Sequence, residues 1–129
     1  MIKKLFLLLV LVVASLSCGG PTQNFKLVKL PSGKEIKVTG INKMDFPNNE
    51  SSMVMSYLTD ISIDNKATLR KEIDEIWSMF QIDVESAHLR SAVIRATHVD
   101  GTGFVKSGKG YGFAFVKRDD GKWHCTEDD

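Results

Sequence analysis

The sequence predicts an α+β domain: an antiparallel sheet of about six strands, in the order β-β-β-α-β-β-β, with one long amphipathic helix packed across it. Two observations support this class. Apolar and polar residues alternate in short runs on both sides of residues 69–84, and only that stretch has apolar residues at helical spacing. Strand-like and helix-like segments are therefore segregated along the chain, which is typical of α+β folds.

A hairpin is predicted at the start of the domain. Two strand-like runs cover residues 25–30 and 34–39, and the sequence Pro31, Ser32, Gly33 separates them. Proline fixes φ at the first turn position and glycine accepts a positive φ, so we expect a tight turn. Alternate residues of a strand point to the same face of the sheet. The apolar residues of this region fall on one such face, which is predicted to be buried; they are Ile36, Val38, Met44 and Phe46.

Residues 69–84 predict the helix, because one side collects Leu69, Ile73, Ile76, Trp77, Phe80 and Val84. Asp64 or Asn65 is expected to cap its N-terminus, and its end is expected between residues 85 and 88. Trp77 is expected to be largely buried. The opposite, solvated face is predicted to carry Arg70, Lys71, Glu72, Asp74 and Glu75.

Four further strands are predicted on either side of the helix. One covers residues 53–63, and the others cover residues 91–99, 111–116 and 123–125. The intervening residues 100–110 contain four glycines and are predicted to form a loop.

The N-terminal segment, residues 1–17, has the form of a signal peptide that is removed. Two lysines precede an apolar run, residues 5–14, which is about half the length that a membrane-spanning helix needs. We therefore expect a flexible tether at residues 18–24 and a single domain at residues 25–129.

Cys18 is a candidate site of lipid attachment. Ser17 and Cys18 resemble the lipobox of bacterial lipoproteins, in which a small residue precedes a cysteine that receives a diacylglyceryl group, although Ser15 stands where an aliphatic residue is usual. The resemblance implies that the lipid is the contact with the membrane. It also implies a location in the bacterial cell envelope, in the outer membrane rather than the inner, with the domain in the periplasm or at the surface.

Ordinary signal peptidase cleavage is the alternative, because Ser15 and Ser17 also suit that enzyme. It would release a soluble product and allow a disulfide between Cys18 and Cys125. If Cys18 carries lipid, Cys125 has no partner within the chain. An exposed lone thiol is a liability in an oxidising compartment, so we expect Cys125 to be at least partly buried.

The charge balance argues against some partners. Without Lys3 and Lys4 of the signal peptide, the 17 basic residues of the chain become 15 against 16 acidic ones. A near-neutral domain argues against a nucleic-acid partner, which would need a basic patch, and against electrostatic membrane binding by the domain itself.

No catalytic residues, metal site or cofactor are predicted. The candidate metal ligands lack a compact spacing; they are His88, His98, Asp100, His124 and Cys125. Adjacent His124 and Cys125 would point to opposite faces of a strand, so they cannot form a nucleophile pair. The carboxylate pairs lie on a solvated helix face and in a turn; they are Asp74 with Glu75 and Asp119 with Asp120. An enzyme is therefore not expected.

The sequence favours a small lipid-anchored domain that binds another envelope protein. One alternative is a structural component that pairs with itself, for example as a homodimer, through a sheet edge. Another is a periplasmic carrier that holds a small ligand against Trp77, Phe80, Tyr111 and Phe113. Residues 69–99 loosely resemble exported bacterial proteins of unknown function. NTF2-like and cystatin-like folds also combine one long helix with a curved sheet. Neither resemblance implies an activity.

Overall fold

The structure, a computed structural model, describes residues 25–47, 50–100 and 107–128. Three sequence predictions lie wholly or partly outside these residues: the signal peptide, the tether with Cys18, and residues 101–106 of the loop predicted over residues 100–110. The elements follow in the order β1 Lys26–Lys29, β2 Glu35–Asp45, β3 Ser51–Thr59, α1 Lys66–Ser86, β4 Ser91–Asp100, β5 Ser107–Lys117 and β6 Trp123–Cys125, followed by a short 3-10 helix, Thr126–Asp128.

The six strands form one mixed sheet whose spatial order is the sequence order, β1 to β6. All neighbours are antiparallel except β3 and β4, which are parallel, so the prediction of a purely antiparallel sheet is wrong at this pairing. The reason is the helix between them. Its 21 residues span about 30 Å, close to the length of the nine-residue β3, and return the chain to the end where β3 begins.

The predicted β1–β2 hairpin is confirmed. The Leu30 amide donates to the carbonyl oxygen of Lys34 at 2.7 Å, and the Gly33 amide donates to the carbonyl oxygen of Leu30 at 2.8 Å. Gly33 has a φ of +95°, a conformation that only glycine adopts without strain.

The predicted buried face of β2 is correct only in its first half. Ile36 and Val38 are 3% and 6% exposed, whereas Met44 and Phe46 are 47% and 44% exposed. A bulge between Val38 and Gly40 shifts the register against β3. The extra residue reverses the parity of the strand, so Met44 lies on the face turned away from Val38.

Three strands differ from their predicted bounds by several residues. β2 continues to Asp45, beyond the predicted end at residue 39. β3 ends at Thr59, because the Ile61 amide turns back to the Thr59 hydroxyl at 3.1 Å. β5 begins at Ser107 and continues through Gly110, which was predicted to lie in a loop. Gly110 pairs with Thr97 of β4, and this ladder uses backbone groups that glycine also has.

Helix α1 ends at Ser86, within the predicted range. Asn65 occupies the N-cap position, but its side chain makes no capping hydrogen bond. The buried residues of α1 are Leu69, Glu72, Ile73, Ile76, Phe80 and Val84. They form one core with sheet residues such as Tyr57, Ile94 and Phe113, whereas Trp77 is only partly buried at the margin of this core. Within the described part of the chain, no helix has the length and apolarity to span a membrane.

Candidate functional site

A cleft with charged and apolar walls lies at the end of the sheet where the parallel strands β3 and β4 both finish. Its volume is about 370 Å³, and it is lined by Lys34, Glu35, Ile36, Lys37, Leu58, Thr59, Asp60, Glu72 and Val99. We call it the Lys34–Glu72 cleft. The carboxyl ends of parallel strands are where open sheets commonly place ligands, which makes this cleft the first candidate for a functional site.

The floor of the cleft is the carboxylate of Glu72, whose side chain is 3% exposed. Lys34 Nζ donates to one of its oxygens, and the Thr59 hydroxyl donates to the other at 2.8 Å. Lys34 Nζ also donates to Asp60 Oδ1 at 2.7 Å. One lysine therefore links the end of the β1–β2 turn to α1 and to the residue that follows β3.

The charges of this cluster stabilise one another. Burial lowers the pKa of Lys34, but hydrogen bonds to Asp60 and Glu72 outweigh it, and the net direction is upward. The hydrogen bond from Lys34 lowers the pKa of Asp60. Both groups are thus charged at neutral pH, and the mouth of the cleft presents a cation and an anion side by side.

Tyr57 lies next to this cluster with its hydroxyl unsatisfied. The residue is fully buried, and its hydroxyl has no hydrogen-bond partner among the described residues. Burial, and then the nearby Glu72 carboxylate, raises the pKa of Tyr57, so the side chain is neutral. An unpaired buried hydroxyl costs about 1–3 kcal/mol.

The arrangement suits binding better than acid–base chemistry. Glu72 already accepts hydrogen bonds from Lys34 and Thr59, which hold it as a paired carboxylate. Lys34 and Asp60 are 38% and 77% exposed and can contact a charged or polar group of a ligand. Their hydrogen bond orients the two groups towards each other, which lowers the entropic cost of binding a ligand that contacts both.

The sequence missed this site because Glu72 was assigned to the solvated face of the helix. Glu72 instead shares the buried side with Leu69, Ile73 and Ile76, at spacings of three, one and three residues. An acidic residue at a core position of the helical pattern was the available signal. It indicates a buried partner, which the structure identifies as Lys34.

The candidate metal ligands do not come together. His98 Nδ1 lies 3.2 Å from the Thr59 carbonyl oxygen, beside the cleft, whereas His124 lies in β6 and is separated from β4 by β5. His88 follows the end of α1 with a φ of 58°. Across residues 25–47, 50–100 and 107–128, no three His, Cys, Asp or Glu side chains are placed to hold a metal ion.

Cys125 lies in the core at 3% exposure and forms no disulfide within the described segments. This confirms the expected burial. Desolvation in this position raises the pKa of its thiol, which leaves less of the reactive thiolate.

The aromatic residues assigned to a carrier pocket fill the space between α1 and the sheet. Trp77 stacks on Phe115 with 4.1 Å between ring centroids, and Phe80 and Phe113 are 1% and 3% exposed. Tyr111 points its hydroxyl to Glu127 Oε1 at 2.5 Å. These side chains pack on the protein itself rather than around an open cavity.

Comparisons of the chain with models of known protein families, with curated proteins and with solved structures find no match. The class that the fold and the cleft define is an α+β domain with a mixed six-stranded sheet and a cleft that holds charged residues at the end of its parallel strand pair.

Proposed function

We propose that this chain is an exported bacterial lipoprotein whose domain binds another envelope protein at the Lys34–Glu72 cleft, while a lipid on Cys18 holds it at the membrane. The observation that carries the binding proposal is the mouth of the cleft, where Lys34 and Asp60 are fixed over the buried Glu72. A protein segment with polar or charged groups of its own can pair with both.

The lipid anchor is supported by the position of Cys125. A disulfide requires Cα atoms closer than about 7 Å and suitably directed Cβ atoms. The Cys125 side chain belongs to the core cluster, so Cys18 could pair with it only if the tether entered that core. A lipidated Cys18 leaves Cys125 unpaired and needs no such rearrangement.

Self-assembly is the second candidate, and one observation favours it. β1 pairs only with residues 35–38 of β2, so residues 39–45 have no strand on their outer side among the described residues. An unpaired edge presents backbone donors and acceptors to another chain. Ile41, which is 47% exposed, lies on this edge.

Site-specific photo-crosslinking distinguishes these candidates. A photoreactive residue replaces Asp60 at the cleft in one variant, and Asp83 on the exposed side of α1 in a matched control. Both variants retain their own N-terminal segment and are expressed in a bacterial host. We expect one discrete adduct with a different protein from position 60, absent from position 83 and weakened by Lys34→Ala. Adducts between two copies of this chain alone, or equal adducts from both positions, would contradict binding at the cleft.

A further inference from the structure

The sheet face turned away from α1 combines exposed apolar side chains with basic ones. Leu27 pairs with Lys37 across the β1–β2 hairpin, opposite in parity to the core residues Ile36 and Val38. Leu27 and Phe25 are 56% and 45% exposed. Lys37 Nζ lies 5.0 Å from the centre of the Phe25 ring, which places Phe25 on the same side. We call this surface the open face and define it by Phe25, Leu27, Lys29, Lys37 and Arg95.

The open face carries a local excess of cations. By strand alternation, the charged strand residues of the open face are Lys29, Lys37, Arg95 and Glu35, an excess of two cations. On the other side, helix α1 carries five acidic and three basic residues. The strands add lysines to that side, which are Lys26, Lys43, Lys109 and Lys117. The near-neutral total of the domain is compatible with the excess on the open face, because pairing through β3 brings Arg95 of β4 onto the face that carries Lys37.

The tether brings the open face close to the anchor. Phe25, at the edge of this face, is the seventh residue after Cys18. Seven residues span at most about 25 Å when fully extended. If Cys18 carries the lipid, as the proposed function requires, Phe25 is held close to the lipid headgroups.

We propose that the open face docks on the anionic phospholipid surface of the membrane that holds the Cys18 anchor. Phe25 and Leu27 enter the interface, while Lys37 and Arg95 pair with phosphate groups. Apolar side chains beside cations are the combination that binds such surfaces. The short tether and the cation excess favour the bilayer over a protein partner on this face. The acidic side of α1 then points away from the membrane.

The test uses the mature chain that begins at Cys18, coupled through this cysteine to a maleimide phospholipid in nanodiscs. The chemical link makes the test independent of whether cells acylate Cys18, and the buried Cys125 is protected from coupling. Gadolinium on lipid headgroups broadens the NMR signals of amides close to the bilayer. With phosphatidylglycerol nanodiscs we expect the greatest intensity loss at residues 25–29 and 37, and little at residues 74–83 of α1.

Charge reversal supplies the control. Lys29→Glu combined with Arg95→Glu should abolish this pattern and leaves the lining of the Lys34–Glu72 cleft unchanged. Nanodiscs of phosphatidylcholine alone should also abolish it, whereas Lys71→Glu on the exposed side of α1 should preserve it. The proposal is overturned if the intensity loss is uniform, is greatest on α1, or persists in the charge-reversed variant. Failure of Cys18 acylation in cells is detected separately by mass, so the two proposals can fail independently.

Discussion

At the scale of single residues, Tyr57 is the least satisfied polar group of the described structure. Its hydroxyl is buried without a hydrogen bond of normal geometry, although the Glu72 carboxylate lies nearby. Such a group costs stability, and proteins commonly retain that cost only where the group has another role.

Replacing Tyr57 with Phe should therefore stabilise the free domain by about 1 kcal/mol, because it removes an unpaired hydroxyl and keeps the ring. The difference in the free energy of unfolding between Tyr57→Phe and the wild-type protein should grow at alkaline pH. Folding raises the pKa of Tyr57, so Tyr57 ionises in the unfolded chain above about pH 10 while it stays neutral in the folded protein. The free energy of unfolding of the wild-type protein therefore falls above about pH 10, and that of Tyr57→Phe lacks this decrease. Urea denaturation at pH 7 and pH 11 measures both effects. A destabilised Tyr57→Phe at pH 7 would show that the hydroxyl has a partner.

At the scale of elements, the sequence predicted α1 well, because its apolar spacing is regular over 16 residues from Leu69 to Val84. It misassigned Glu72, since a periodicity argument places charged residues outside by default. Burial of this carboxylate depends on Lys34, which is 38 positions away in sequence. Local patterns do not contain that pairing.

A matched pair of substitutions tests the buried side of α1. Phe80→Ala should lower the free energy of unfolding by about 3–5 kcal/mol, because Phe80 is 1% exposed and its removal leaves a cavity. Ile82→Ala, at a position that is 65% exposed on the same helix, should change it by less than about 0.5 kcal/mol. Chemical denaturation gives both values, and similar losses for the two variants would refute this orientation of the helix.

The link between the β1–β2 hairpin and α1 gives another prediction. Lys34→Met leaves Glu72 buried without its cation and should lower the free energy of unfolding by about 1–3 kcal/mol. The loss is smaller than for breaking a fully buried ion pair, because Lys34 is partly solvated. Adding Glu72→Met should recover most of this loss, since no charge is then left buried. Denaturation of the single and double variants forms the measurement, with Lys71→Met as a surface control. A double variant whose loss is the sum of the single losses would exclude coupling between the two residues.

Strand details were predictable only where turn residues specify them. Gly33 indicated the β1–β2 turn correctly, and Gly121 of the last hairpin also has a positive φ of +81°. The bulge after Val38 has no comparable local signal, so the sheet face predicted for Met44 was wrong. Gly110 was misleading in the opposite direction, because its backbone pairs in β5 although glycine is uncommon in strands.

At the scale of the whole molecule, the α+β class followed from segregated elements, and the structure contains the predicted sequence of six strands and one helix. The mixed sheet did not follow from them, because the direction of β4 depends on where the crossover helix returns the chain. The cleft lies where this crossover creates two parallel strand ends. The part of the fold that local pattern could not predict is therefore the part that positions the candidate site.

The proposed lipid anchor connects the two proposals at this scale, and an experiment on Cys18 tests it most directly. The measurement is the intact mass and membrane partitioning of the chain expressed with its own N-terminal segment in a bacterial host, beside Cys18→Ala. We predict a mature protein that begins at an acylated Cys18 and partitions into membranes, with partitioning lost in Cys18→Ala. A soluble mature chain whose mass is lower by the two hydrogens of a Cys18–Cys125 disulfide would contradict the account.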